Sequence, residues 1–339
     1  MADNLTAGSA APSLVRRQGM GGAEFLRRYG VVVALLALLA FNAAFTPNFL
    51  SWQTVNVNLT QACAIVIVAV GMTLVVASGG IDLSVGSLMA ISGALAPLVF
   101  TGALFPLPSH GVGIALAFVL PVAVAALLGL FNGWLVTRFS IQPIVATLVL
   151  FIAGRGIAQV VTNGNLQVFR EPGFQAIGLG RVAGVPVQVV LMVLIVAVAA
   201  FVLTRTLYGR QLLAVGGNAR AAHLSGINVR RVRCLAYVAS GALAGLAGLV
   251  VIARNGASDA NLVGLGMELD AIAAVAVGGT LLSGGRASMI GTLLGALVIQ
   301  LVRYTLLANG VPDAAALVVK AVLIIAAVWI QQRSLGKAG

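Results

Sequence analysis

The chain is short of charge. Its 339 residues hold 20 Lys and Arg and 8 Asp and Glu, 8% in all, where an ordinary soluble domain carries roughly 25%. So few charged side chains cannot cover a water-soluble core of this length, and 60% of the residues are hydrophobic, so a water-soluble fold is excluded and an integral membrane protein remains. Histidine is equally scarce. His110 and His223 stand alone, which leaves no paired-histidine metal site and no Ser-His-Asp set for hydrolysis. The lysines are Lys320 and Lys337, neither followed by Ser or Thr, so a Gly-x-x-x-x-Gly-Lys-Ser/Thr phosphate loop is absent and the chain is no ATPase by itself. Cys63 and Cys234 lie in or beside apolar runs, without the spacing of a disulfide framework or a zinc knuckle. The net charge of +12 comes from arginines that sit between apolar runs rather than along one face. That is a topology signal, and it argues against nucleic-acid binding.

What the sequence does have is apolar stretches of bilayer length. A hydrocarbon layer of about 30 Å takes roughly 20 helical residues, and ten such stretches are read at 30–46, 60–78, 83–103, 112–136, 141–162, 185–204, 234–253, 268–282, 288–307 and 314–331. The expected fold is all-α: a polytopic membrane protein of about ten transmembrane helices with an internal duplication. Around the membrane domain at 30–332 lie an N-terminal tail at 1–29 and a C-terminal tail at 333–339. The run ending near Phe45 lacks a small-x-small cleavage pattern and nine further stretches follow it, so it reads as an uncleaved first helix rather than a signal peptide. With the N-terminus inside, 14 of the 20 basic residues fall on cytoplasmic stretches, which places both termini in the cytoplasm.

Two segments 199 positions apart share the pattern Gly-Gly-x-x-Leu-Ser-x-Gly: one runs from Gly79 to Gly86, the other from Gly278 to Gly285. Glycine-interrupted membrane segments at matching places in two halves of a transporter mark a substrate region near the midplane. Close helix packing by small residues is the plainer explanation.

Ionisable groups at membrane depth cost roughly 2.5–3.5 kcal/mol each on insertion scales, so each needs a partner or a wet cavity. Asp82, Arg155, Glu268 and Asp270 are the candidates for a translocation path, with Arg155 placed to approach a carboxylate such as Asp82 or Asp270. Arg303 and Lys320 read as snorkelling side chains. For Asp82, with Ser84 two residues on in a glycine-rich turn, fixing the turn and touching a substrate are both open. Asn132, Gln142, Gln159 and Gln300 add neutral hydrogen-bonding groups, which suit an uncharged polyol better than an ion.

The largest inner loop spans 205–233 and carries Arg210. The run Gly217-Asn218-Ala219-Arg220-Ala221-Ala222-His223-Leu224-Ser225-Gly226-Ile227 reads as a small-residue helix with a glycine stop. Its Ala-Ala face and flanking arginines suit a lever pressed into a protein groove.

These blocks together resemble the ribose-type sugar permeases of ATP-binding cassette importers, relatives of the branched-chain amino-acid permeases. The resemblance covers about residues 30–330 and rests on four blocks: Gly71-Met72-Thr73 leading into Gly79–Ser87, the Gly217–Ile227 loop, Glu268–Ala274, and Gly278–Arg286. Gln142–Thr147, Ala153–Gly156 and Ala257–Asn261 look most like the galactofuranose-type members. The inner loop is similar to the Glu-Ala-Ala-x-x-x-Gly coupling motif of the wider superfamily, with Arg220 where the glutamate would stand. The resemblance implies a transport subunit without an ATPase site, in a bacterial inner membrane. It implies a second permease copy or paralogue, an ABC ATPase subunit that uses ATP and magnesium, and a periplasmic sugar-binding protein; no cofactor is expected on this chain. An ion-coupled secondary transporter using Asp82, Glu268 or Asp270, and a passive channel, are the rival classes.

Overall fold

The computed structural model describes residues 22–312 and positions 314, 315, 317–319, 321, 322 and 325. Positions 1–21 of the expected N-terminal tail, much of the tenth expected span including Lys320, and the tail at 333–339 lie outside the described residues.

Helices follow the apolar stretches. They are α1 (Gly22–Phe45), α2 (Trp52–Ala77), α3 (Val85–Phe100), α4 (His110–Arg138), α5 (Pro143–Val161), α6 (Pro172–Leu179), α7 (Val187–Arg205), α8 (Leu207–Gly217), α9 (Ala219–Leu224), α10 (Val229–Asn255), α11 (Met267–Val277) and α12 (Met289–Ala308). Two short antiparallel pairs join loops: β1 (Gln167–Val168) with β4 (Ala257–Ser258), and β2 (Arg181–Val182) with β3 (Val185–Pro186). Six of the helices, α2, α4, α5, α7, α10 and α12, are long and apolar enough to cross a membrane; α3 is a shorter apolar helix.

Local chemistry sets the boundaries. Ser51, Ser109 and Ser288 accept backbone N–H bonds at the starts of α2, α4 and α12, meeting donors that the first helical turn leaves unpaired. Pro143 opens α5, where a missing N–H costs nothing. Two expectations need correction. The span expected at 268–282 is an 11-residue helix ending at Val277, because the chain turns at Gly278-Gly279. The 205–233 loop is mostly helix, and α10 begins at Val229, because Asn218 and Asn228 cap α9 and α10 through their side-chain oxygens.

The core is built on α2, α3 and α10. From Ala62 to Ser78, α2 is buried on every face, whereas α4, α5 and α7 expose large apolar side chains such as Leu127, Ile152, Val160 and Phe201. A helix apolar all round is at home in a protein core or in lipid. α10 packs backbone-close against α4: a Cβ on Gly129 would meet the Tyr237 carbonyl oxygen, and one on Gly133 would lie 2.9 Å from the Cys234 Cα. Ser92, on α3, donates to the Gly245 carbonyl at 2.9 Å. Small residues that let backbones touch gain dispersion contacts where no hydrophobic driving force separates protein from lipid.

Candidate functional site

α2 ends in a tight glycine turn. The Gly79 N–H donates to the Val76 carbonyl at 2.9 Å and the Gly80 N–H to that of Val75 at 3.1 Å, with Gly79 at φ 83°; this is a left-handed glycine stop. The chain then runs back into the protein as far as Ser84. Asp82 has no exposed surface. Its Oδ1 accepts from the Ser84 N–H at 3.0 Å and the Ser84 hydroxyl at 2.6 Å, and its Oδ2 accepts from the Ser240 hydroxyl of α10 at 2.8 Å. Asn132, from α4, donates to the Ser84 hydroxyl oxygen at 2.9 Å, and the Leu83 N–H donates to the Thr147 hydroxyl oxygen of α5 at 3.1 Å. Three helices therefore hold this one turn, and Asp82 is its anchor. Three donors thus meet the buried Asp82 carboxyl group.

The second glycine segment makes a stop with the same bonds one residue later in the shared pattern, at the second glycine of its pair. The Gly279 N–H donates to the Ala276 carbonyl at 3.0 Å and the Thr280 N–H to that of Val275 at 3.2 Å, with Gly279 at φ 81°. The turn continues to Ser288, whose N–H donates to the Thr280 hydroxyl oxygen at 3.2 Å.

Arg155 does not reach Asp82, contrary to that expected pairing. Its Nη1 donates to the carbonyls of Ala260 at 2.9 Å and Val263 at 2.6 Å, holding the non-helical backbone that leads from β4 to α11. Unpaired carbonyls at such a place require a donor, and the flat guanidinium serves two of them. Glu268 and Asp259 are the carboxylates acting on its charge. Gln159 donates to the Asn261 side-chain oxygen at 2.7 Å. Glu268 and Asp270 lie buried in the first turn of α11. Glu268 Oε2 has no hydrogen-bond partner among the described residues and sits 2.5 Å from where a Cβ on Gly86 would be. The expected path residues thus form two groups, Asp82-Ser84-Asn132 and Arg155-Gln159-Glu268, which meet at the first turn of α3. Sequence reasoning missed Ser240, Thr147 and Tyr237. Ser240 stands in a small-residue run that announces packing only, and Thr147 looks like any threonine in an apolar helix.

The 205–233 stretch forms a separate group. Arg210, Gly217, Asn218, Arg220, Ala221, His223 and Gly226 are exposed, Ala222 is buried and Ile227 half-buried. Leu224, 80% exposed, stands at the end of α9, followed by Gly226 at φ 82°. Tyr208 ties α8 to α10, its hydroxyl donating to the Val232 carbonyl at 3.2 Å; burial pushes that phenol above its ordinary pKa, so it stays a neutral donor. Beside α9 opens a cleft of about 970 Å3 lined by Arg220, His223, Arg230, Arg233, Gln142 and Gly79 among others. Among the described residues no acid lines it, so it presents a positive face. On another face, His110 Nε2 stands 3.2 Å from Glu171 Oε2. Among the described residues no His, Cys, Asp and Glu cluster could hold a metal ion.

Comparison with known proteins adds the family. Residues 55–328 match the family described as branched-chain amino acid transport system, permease component. The galactofuranose transporter permease protein YtfT of Escherichia coli (strain K12) is 40% identical over 312 residues, covering 89% of each chain. The ribose import permease protein RbsC of the same strain is 39% identical over 306 residues, covering 89% of this chain and 92% of that one. The fructose import permease protein FruF of Bifidobacterium longum (strain NCC 2705) is 34% identical over 294 residues, covering 83% and 80%. No solved structure matches.

Proposed function

This chain belongs to the family of permease components of branched-chain amino acid transport systems, and from that membership we propose that it is the membrane-spanning subunit of an ATP-driven sugar importer. It is a multi-pass membrane protein. The observation that carries the sugar reading is that relatives named for galactofuranose, ribose and fructose align with more than four fifths of it. The neutral donors and acceptors, buried around Asp82 and more exposed at Gln159, agree with an uncharged, hydroxyl-rich substrate.

In this reading the chain lies in a bacterial inner membrane with both termini in the cytoplasm, as the arginine distribution favours. The two glycine segments are the matching points of a duplicated architecture; that each ends a helix at a left-handed glycine supports this. A second permease, identical or paralogous, completes the path. A periplasmic binding protein delivers a pentose or furanose-type sugar, and a separate ABC ATPase subunit supplies the energy with ATP and magnesium. The exposed face at Arg210, Asn218, Arg220, His223 and Leu224 meets that ATPase. Closure of the ATPase pair moves the 205–233 segment, and the helices alternate between outward and inward openings. The sugar is carried without covalent change.

The test is reconstitution of the chain with its co-purifying partners in proteoliposomes, followed by uptake of labelled ribose and galactofuranose with and without ATP. Uptake that runs on an ion gradient without nucleotide would replace this reading with the ion-coupled one. Gly226→Arg should abolish ATP-driven uptake while membrane insertion and sugar binding by the delivery protein persist. A side chain at φ 82° is strained, and a bulky cation there reshapes the docking face; normal uptake by this variant removes the docking role.

A further inference from the structure

The 205–233 segment touches the rest of the protein at an unusual place. Gly216, near the end of α8, lies against the end of α2 and the α11–α12 turn at once. A Cβ on Gly216 would collide with the Ala77 carbonyl oxygen and would lie 2.6 Å from the Gly285 nitrogen. The Gly285 N–H in turn donates to that same Ala77 carbonyl at 3.1 Å. A Cβ on Gly284 would lie 2.8 Å from the Gly216 carbonyl oxygen and 2.9 Å from the Gly79 Cα. Three chain segments, far apart in sequence, therefore meet backbone against backbone, with no side chain between them.

We propose that this junction is the joint through which the 205–233 segment drives both glycine turns together, with Gly216 as its positioning residue. The proposal rests on the transport reading above, since it takes that segment to be the part moved by the ATPase. Close-packed backbone has no soft side chain to absorb a displacement, so a shift of α8 is passed on rather than dissipated. Ala77 is followed directly by the turn that carries Asp82, and Arg233 and Tyr237 of α10 donate to the Ser78 and Ile81 carbonyls at 3.3 and 3.4 Å. One movement of Gly216 thus reaches the polar anchor at Asp82 and, through Gly285, the end of α11. Gly216 lies inside a helix, and its backbone is not among those with positive φ. Its lack of a side chain serves contact alone, and alanine would favour the helix itself.

The experiment uses the whole reconstituted importer and reads sugar uptake and ATP hydrolysis in the same vesicles. Gly216→Ala should assemble with the ATPase and hydrolyse ATP, while sugar moved per ATP falls about tenfold, the scale at which single residues modulate coupling. Gly111→Ala is the control: its Cβ would meet nothing within 4 Å, and its ratio should stay within about twofold. A parental ratio in Gly216→Ala overturns the joint, and so does loss of the ATPase from the complex, which would make Gly216 a docking residue. If the parent itself shows no ATP-dependent uptake, the transport reading falls instead. Should Gly216→Ala fail to accumulate, Ile81→Cys in a parent lacking Cys63 and Cys234 decides. Its labelling by a membrane-permeant maleimide should change severalfold with ATP, and an unchanged rate overturns the joint.

Discussion

The turns after α2 and after α11 begin alike and are held differently. Both open with the same pair of backbone bonds around a left-handed glycine. Beyond that stop, the first turn is fixed by side chains, with Asp82 bonded to Ser84 and Ser240 and Ser84 bonded to Asn132. The second is wedged by backbone: a Cβ on Gly278 would lie 2.5 Å from the Gly291 carbonyl of α12, and one on Gly291 would strike the Gly278 carbonyl oxygen. The comparison teaches that a shared glycine pair ends a helix in both places but not at the same residue, the left-handed glycine being the first of the pair at Gly79 and the second at Gly279, and that what clamps each turn depends on the helices beside it.

The two clamps should fail differently. Among the substitutions that separate the two clamps, Gly278→Ala is expected to have the largest effect on stability, about 3 kcal/mol, because the obstructing atoms are backbone and cannot rotate away; melting of the detergent-solubilised protein and yield in the membrane read it. Little or no loss would mean that α12 can move away from α11. Ser240→Ala follows at about 1.5–3 kcal/mol, since it strips a buried carboxylate oxygen of its donor. Its melting shift should vanish in an Asp82→Ala background if the two residues act through this one bond. Asp82→Asn alone is the mildest for folding, about 1 kcal/mol, because the amide keeps the shape and the Ser240 hydroxyl can accept instead. It should still slow uptake without releasing the ATPase partner, and wild-type kinetics would confine Asp82 to holding the turn.

Much of the architecture was legible. The apolar runs located the helices, although α1 and α2 begin eight residues before the expected 30 and 60 and α11 ends five short of 282, and Gly79 and Gly278-Gly279 were readable as breaks because glycine alone adopts the left-handed backbone of a helix stop without strain. The turn-fixing role of Asp82, open in the sequence, follows from its burial and its bonds to Ser84 and Ser240. The partner of Arg155 was not readable. Asp82 or Asp270 was expected beside it; the guanidinium donates to the carbonyls of Ala260 and Val263, with Glu268 and Asp259 the carboxylates acting on its charge, and backbone demand for donors leaves no mark on the amino-acid letters. Gly216 was passed over for the same reason. Among 41 glycines, only the fold singles out the one pressed against Ala77 and Gly285.

By itself the sequence determined the class of molecule. Scarce charge and bilayer-length apolar runs allow only a polytopic membrane protein. Tertiary structure decided which residues meet. Ser240 stands 158 positions from Asp82, and only the close packing of α10 on α3 and α4 brings it there. In a soluble helix the apolar stripe announces the buried face. Here the helices are apolar all round, lipid tails being as acceptable to them as a protein core, so the facing partner has to be found in space.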